Sequence, residues 1–579
     1  MRHGAGPRTG RGMEWLALGG GVLLLGALGV VSPAAAQTTS GGSGCSVGAL
    51  TGVVPGVTIV SATSVTASSP TPAYCDVIGT LDTSDEKAPV GSAGFELRLP
   101  DNWNGKFLFF GVGGLAGSTY ADLAANPTDV AEALPKGYAT AITDTGHLGG
   151  GTDASWALVA PGRPDRPKVA DYYYRATHQV TVAGKQLVAA YYGNPVGQSY
   201  FDGCSNGGRQ AMVEAARYPE DYDGIIAGAP FQDIRTVLGQ VKDLKALFAT
   251  PSSYLPASLL PTIDAGVYAA CDALDGVTDG LIQNPAACTF KPSDLVCAAG
   301  QTSNCLTQDQ ANFLTTYISP VRTEAGELVY PGFSITDLAN GGLDVWTVGT
   351  TPPTAPGTAE PWGDKGFAPA PLGFQFADHI IKYLVTLDPT YDLFTYPIGI
   401  DGVVTPEGLA LFDARTQAGS AAAPEDFQTF ISQGRKLLWY HGYSDPALPP
   451  FRSVLLYEQL AALAQGSYAG LQDNIRLFMV PDMQHCGGGP GPNVFDTLSA
   501  LDSWVTQGQA PDGIVATHYT NNDLTKPVTR TMPLCQFPEQ ATYNGAGDVN
   551  QASSWSCTQN SKLLEVGPEG AQAGLPSGG

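Results

Sequence analysis

FDGCSNGGRQ, residues 201–210, contains Gly203-Cys204-Ser205-Asn206-Gly207. This is the G-x-S-x-G spacing that sets a serine on a sharp turn between a strand and a helix. The small glycines let the backbone turn tightly and lift the hydroxyl out at the strand's end. A cysteine, the more reactive nucleophile, sits directly before the serine, so the stretch also asks what that cysteine is for. The flanks suit the turn. SYFDG before it reads as a short strand, and GGRQAMVEAARYP after it as a helix stopped by Pro219.

Working outward, the same alternation continues. Strand-like runs occupy Phe95–Leu99, Lys106–Phe110, Tyr138–Gly146 and Asp223–Pro230, and Arg175–Gly193 has helical spacing ending at a glycine. Strands alternating with helices imply an α/β fold, a mostly parallel sheet with helices on both faces. The pattern breaks after Pro230. Residues 231–425 are rich in Pro, Gly and Thr, carry five shortish helical runs and hold four of the ten cysteines between 271 and 305. The sheet pattern returns at Lys436–Gly442 and Ile475–Pro481. The expected organisation is one α/β domain in two parts, 37–230 and 426–579, interrupted by an inserted domain at 231–425.

The chain starts with an export signature. Arg2, Arg8 and Arg11 precede the apolar run Trp15–Val31, and SPAAAQ offers an A-x-A cleavage site ending at Ala36. Residues 1–36 are therefore expected to be a signal peptide, and the mature protein to be secreted or periplasmic without a membrane anchor. The 579-residue chain carries 53 acidic and 29 basic side chains, a formal net charge of −24. Such a surface repels phosphate backbones and anionic membranes, which argues against a nucleic-acid partner. An oxidising compartment makes five disulfides the default for ten cysteines, though counting does not give the pairing.

A nucleophilic serine needs a base, and the base an orienting acid. His485 follows the strand-like IRLFMVP in the loop DMQHCGGGPG, at a strand's C-terminal end, where such sheets place their chemistry. Asp445 lies just past another strand end, in WYHGYSDP. The chain order Ser205, Asp445, His485 is that of the α/β-hydrolases. Asp482 is a rival acid, and His441 reads as a packed strand-end histidine. An oxyanion needs two backbone donors. Asn206, following the nucleophile, offers one. The turn FFGVGGLAGS, with four glycines between 111 and 117, offers the other at Gly114 or its neighbour Gly113. Cys204 precedes the serine and Cys486 follows the histidine. If the two were bonded, their Cα atoms would stand about 4.4–6.8 Å apart, and the cysteine would be a staple rather than a rival nucleophile.

These stretches, with WNGKFLFFGVGGLAGS and CDALDGVTDGLI, resemble the tannase and feruloyl esterase family of secreted α/β-hydrolases over nearly the whole mature chain. The resemblance implies the α/β-hydrolase fold with a large inserted lid, and Ser205, Asp445 and His485 as the triad. It implies Gly114 and Asn206 as oxyanion donors, and the pairs Cys204–Cys486, Cys45–Cys75, Cys271–Cys288, Cys297–Cys305 and Cys535–Cys557. It also implies a calcium ion in the lid, held by Asp272, Asp275 and Asp279 with the carbonyls of Val277 and Leu281. Three carboxylates and two carbonyls suit a hard cation that takes six to eight oxygens, although the spacing is not that of an EF-hand. No organic cofactor is expected.

The activity these readings imply is hydrolysis of esters of aromatic acids, hydroxycinnamic or gallic, on small molecules or plant polymers. Lid aromatics Trp346, Trp362, Phe367, Phe374 and Phe376 are the candidates for contact with the ring, with Trp362, Phe374 and Phe376 foremost. Terephthalate monoester hydrolysis is the neighbouring alternative. Family members with that activity bind the free carboxylate through an arginine shortly before a Gly-Phe pair, and the matching position before Gly373-Phe374 is Ala370. Lys365 and Lys382 are the only cations between Arg322 and Arg415. A serine peptidase, or a carbohydrate- or polymer-binding protein on a non-catalytic hydrolase scaffold, would be competing classes.

Overall fold

The strand that carries Cys204 lies inside a nine-stranded sheet in the computed structural model, which describes residues 44–339, 341–363, 369–464 and 466–559. The expected signal segment 1–36, and Lys365 and Phe367 of the lid, lie outside these residues. The strands are β1 (Val57–Val65), β2 (Tyr74–Thr83), β3 (Gly91–Pro100), β4 (Lys106–Phe110), β5 (Ala139–Thr143), β6 (Gln198–Cys204), β7 (Gly224–Gly228), β8 (Lys436–Gly442) and β9 (Ile475–Val480). Their order is β1-β2-β3-β5-β4-β6-β7-β8-β9. The first three pairings are antiparallel, and every pairing from β5 onward is parallel.

Burial follows the pairing. β2 alternates, with Cys75, Val77 and Leu81 inward and Thr80 and Asp82 outward, as a strand with one wet face should. β7 and β9 are buried at every position, because helices cover both faces of the parallel part. These helices include α1 (Ala176–Tyr192), which ends at Gly193 with φ +70, and α2 (Asn206–Arg217), which starts at the serine turn.

A parallel connection needs a crossover, and the one from β7 to β8 is the insertion. The chain leaves the sheet at Gly228 and rejoins it at Lys436. In between lie helices α3 (Thr236–Leu247), α4 (Leu260–Cys271), α5 (Gln308–Ile318), α6 (Leu372–His379) and α7 (Pro406–Thr416). After β9, helix α8 (Thr497–Gln507) leads into the antiparallel ribbon β10 (Gly513–Tyr519) and β11 (Val528–Cys535). β1, β2 and this ribbon were not read from the sequence. Their Ser, Thr and Gly content hides the alternation that the pairing reveals. Among the described residues no helix is long and apolar enough to cross a membrane.

Candidate active site

Ser205 is the hinge between β6 and α2, with φ +62 and ψ −124. A non-glycine residue held there costs on the order of 1–3 kcal/mol and persists only where its surroundings fix it. Its N–H donates to the Gly228 carbonyl at 3.0 Å, and its own carbonyl accepts from Phe231 at 2.9 Å. The flanking glycines are a steric requirement. A Cβ on Gly203 would meet the Gly207 carbonyl oxygen at 2.4 Å, and one on Gly207 would meet Ala124 O at 2.5 Å.

The turn aims the Ser205 hydroxyl at His485, whose Nε2 lies 2.8 Å from Ser205 Oγ. His485 Nδ1 lies 2.7 Å from Asp445 Oδ2. The other oxygen of Asp445 accepts N–H groups from Ala447 at 2.8 Å and Leu448 at 2.9 Å. Burial would raise the Asp445 carboxyl, but the charge on His485 and hydrogen bonds from His441 and His485 outweigh it, holding the group well below the usual carboxylate range. Asp482 is engaged elsewhere: its oxygens accept from Ser444 Oγ at 3.1 Å and Ile282 N at 2.8 Å. His441 is 1% exposed, as a strand-end histidine should be, but its Nε2 also reaches Asp445 Oδ2 at 3.2 Å.

The two expected oxyanion donors, Gly114 and Asn206, line the same pocket as Ser205. Gly113 N–H is spent on Asp122 O and Leu115 N–H on Gly151 O. Among the described residues the N–H groups of Gly114 and Asn206 meet no acceptor, so the choice within the glycine turn falls on Gly114. Gly114 has φ +54, and a Cβ there would meet Gly151 O at 2.1 Å. The end of the opening motif, Arg209-Gln210, secures this loop. Gln210 Oε1 accepts Val112 N–H at 3.0 Å, and Asn206 Nδ2 donates to Val112 O at 2.8 Å. Arg209 is fully buried, donates to Asn206 Oδ1 at 2.8 Å and lies over the Tyr172 ring at 4.6 Å, while Tyr172 OH donates to Gly114 O at 3.0 Å. This part of Arg209 and Gln210 is not legible in the sequence, because nothing local says what a polar helix side chain will meet.

All five expected cysteine pairs are bonded. Cys204 and Cys486, 282 residues apart, have Cα atoms at 6.0 Å, and among the described residues no cysteine is free. The cysteine before the serine is thus tied to the one after the histidine. In the loop-entropy model a crosslink over so long a loop contributes roughly 5 kcal/mol.

The serine opens into a pocket walled by Leu115, Phe231, Val237, Trp346, Phe376 and Ile380. Trp346 stacks on Phe376 with centroids 6.1 Å apart and presents its edge to His485 at 5.2 Å. Of the three foremost ring candidates, only Phe376 lines the pocket. Trp362 and Phe374 are corrected to lid core: they pack on each other at 5.5 Å and on Phe248 and Phe394, 3% and 5% exposed. On α6, Phe374 and Phe376 are two positions apart, about 200° around the axis, so only one can face the serine. Gln240 of α3, unforeseen in the sequence, adds a polar wall, with Oε1 buried and unpartnered. Among the described residues no lysine or arginine lines the pocket. Lys382 is paired with Asp378 at 2.7 Å and Glu360 at 3.0 Å.

Asp272, Asp275 and Asp279 follow directly on α4. Asp275 Oδ2 is buried without a partner. Burial and the neighbouring charges of Asp279 and Asp272 push the Asp275 carboxyl up to about 6. Three carboxylates with one orphan oxygen suit a hard cation in donor chemistry, although their oxygens do not all lie within 4.8 Å of one another. Asp279 is also partly neutralised by Arg530, 2.9 Å away.

The family model for tannase and feruloyl esterase matches residues 75–558. The chain is 32% identical to an uncharacterized esterase of Xanthomonas campestris, over 93% of this chain and 96% of that one. It is also 32% identical to the mono(2-hydroxyethyl) terephthalate hydrolase of Piscinibacter sakaiensis, over 84% of this chain and 85% of the relative. The crystal structure of feruloyl esterase B from Aspergillus oryzae superposes with a TM-score of 0.73 at 25% identity, covering 87% of this chain and 97% of that one. The sheet order, the serine turn and these likenesses together define an α/β-hydrolase fold, and the chain belongs to the tannase and feruloyl esterase family of carboxylic ester hydrolases.

Proposed function

We propose that this protein hydrolyses esters of uncharged, phenol-bearing aromatic acids of the hydroxycinnamic or gallic type, through an acyl-enzyme on Ser205. The observation that carries the reading is the hydrogen-bonded Ser205–His485–Asp445 set beside two unengaged N–H groups, at the mouth of an aromatic pocket that holds no lysine or arginine among the described residues. Asp445 accepts from His485 Nδ1, which leaves Nε2 to accept the Ser205 proton as Oγ attacks the ester carbonyl. The oxyanion gains hydrogen bonds from Gly114 and Asn206, each donor worth about 3 kcal/mol in the transition state. The imidazolium then protonates the departing alcohol. A water, deprotonated by the same nitrogen, releases the acid and restores Ser205.

Trp346 and Phe376 supply faces for the aromatic ring, and Gln240 Oε1 supplies an acceptor for a phenolic hydroxyl. A terephthalate monoester would bring a free carboxylate into a pocket where no lysine or arginine among the described residues meets it, an expensive burial. A non-catalytic binding protein would have no use for a strained serine already bonded to a base. The decisive experiment compares Ser205→Ala with wild type on methyl ferulate. A fall in kcat of roughly 10⁴–10⁶ at unchanged Tm is expected, and more than a tenth of the activity remaining would rule the nucleophile out.

Asp272, Asp275 and Asp279, with the carbonyls of Val277 and Leu281, are proposed to hold calcium, which would bind the turn after α4 into the lid. Five disulfides and the basic-apolar start support export to an oxidising compartment.

A further inference from the structure

Glu214 lies on α2, nine residues beyond Ser205, and is fully buried. Among the described residues neither of its carboxylate oxygens meets a hydrogen-bond donor. A buried carboxylate left in that state costs several kcal/mol, so something should compensate it. Two side chains face it: His178 from α1 and Asp221 from the turn after α2. One nitrogen or oxygen from each of the three lies within 4.8 Å of the others, and among the described residues this is the one such group of three or more His, Cys, Asp or Glu.

The surroundings hold this group in place. His178 Nδ1 lies 2.6 Å from Asp221 Oδ2, and its ring stacks on Tyr218 at 3.8 Å with planes 6° apart. The Asp221 backbone carbonyl is gripped by Lys185 Nζ at 2.6 Å and Ser199 Oγ at 2.9 Å. The nearby lysine is thus spent on a carbonyl, and among the described residues no cation reaches the Glu214 oxygens. His178 remains a quarter exposed at its side chain, which leaves a path from solvent.

We propose that His178, Glu214 and Asp221 form a divalent-cation site of the zinc class, with one imidazole nitrogen and one oxygen from each carboxylate as protein ligands and solvent completing the shell. Ligands about 2.0–2.2 Å from one ion stand within about 4.4 Å of each other, so only small side-chain movements separate the present arrangement from coordination. An imidazole with two carboxylates favours zinc over calcium, which takes oxygen ligands alone. The ion neutralises the two acids and gives the Glu214 oxygens their missing partner. It fastens α1, the end of α2 and the turn leading to β7. Nine residues of helix put it about 13 Å from the nucleophile, so its part is structural.

The test uses the full, tag-free chain, dialysed against a zinc-selective chelator with calcium present throughout, then titrated with zinc chloride. Elemental analysis should find about one zinc per chain after gel filtration, with Tm raised by several degrees. Glu214→Gln, which keeps the shape and folds without a charge, should lose both the retained zinc and the Tm response, as should His178→Ala. Zinc retention below a tenth per chain in wild type would overturn the site. So would equal retention in Glu214→Gln. A Glu214→Gln protein as stable as wild type, with zinc shifting neither, would instead show a protonated Glu214 sharing its proton with Asp221.

Discussion

His441 Nε2 stands 3.2 Å from Asp445 Oδ2, the same oxygen that His485 Nδ1 meets at 2.7 Å. His441 Nε2 also faces the Leu448 carbonyl at 3.2 Å, and its Nδ1 lies 2.6 Å from Ser453 Oγ. Two acceptors at Nε2 fix a proton there, so Nδ1 accepts from the Ser453 hydroxyl. Asp445 is therefore held by two histidines and two backbone amides, and its carboxylate is left one orientation. His441→Ala should lower kcat on methyl ferulate about 10- to 100-fold with little change in KM. His441→Gln, which can still donate to Asp445, should recover part of the loss. Equal, undiminished kcat in both variants would reduce His441 to packing.

The Cys204–Cys486 bond places Ser205 and His485 on adjoining residues of a crosslink. A Cys204→Ala, Cys486→Ala double variant should lose most of its activity and melt several degrees lower. Thiol titration of the unfolded wild type should find no free cysteine. A mass-spectrometric map showing Cys204 unpaired in the native protein would contradict the structure.

Substrate choice follows from the pocket wall. Methyl ferulate should exceed methyl cinnamate, which lacks the phenol, in kcat/KM by about tenfold, the worth of one buried hydrogen bond. Gln240→Leu should narrow or erase that gap while sparing the cinnamate. A terephthalate monoester should rank below both ferulate and gallate esters. Its ranking first would mean that a cation outside the described pocket meets the carboxylate.

Stability should fall as pH rises through the neutral range. Burial pushes the carboxyl of Asp337 up to about 8 and that of Asp482 up to about 7, with neighbouring acids adding to both. An unfolded aspartate titrates near 3.9. Between these values the folded protein binds more protons than the unfolded chain, so this part of the stability is complete below about pH 4 and gone above about pH 8. Asp337→Asn can still accept the hydrogen bond that Gln484 Nε2 makes at 2.7 Å. Its Tm should decline less than that of wild type between pH 5 and pH 9, and parallel curves would refute the assignment.

Prolonged chelation of calcium should lower Tm, since a ligand bound only by the folded state stabilises it. Asp275→Asn should abolish that response while methyl ferulate turnover at low temperature stays near wild type. An unchanged Tm, with no calcium found by elemental analysis, would leave the three aspartates as turn residues.

The sequence alone determined the reactive group and its order along the chain. G-x-S-x-G at residues 203–207 can close only where small residues let strand and helix touch, and that steric demand is local. The histidine and aspartate were legible because each follows an apolar run that could only be a buried strand, and strand ends are where this sheet exposes chemistry. Tertiary structure decided what local pattern does not carry. Which of Phe374 and Phe376 faces the serine depends on the rotation of α6 against α3. That Gln240 enters the pocket depends on α3 packing beside the serine turn, from a segment distant in sequence, whereas His441 reaches Asp445 within one loop, four residues on. Hydrophobic periodicity fixes which face of an element is buried. What each polar group on that face then meets is set by packing between segments distant in sequence, and Glu214 is the group for which that packing leaves the clearest gap.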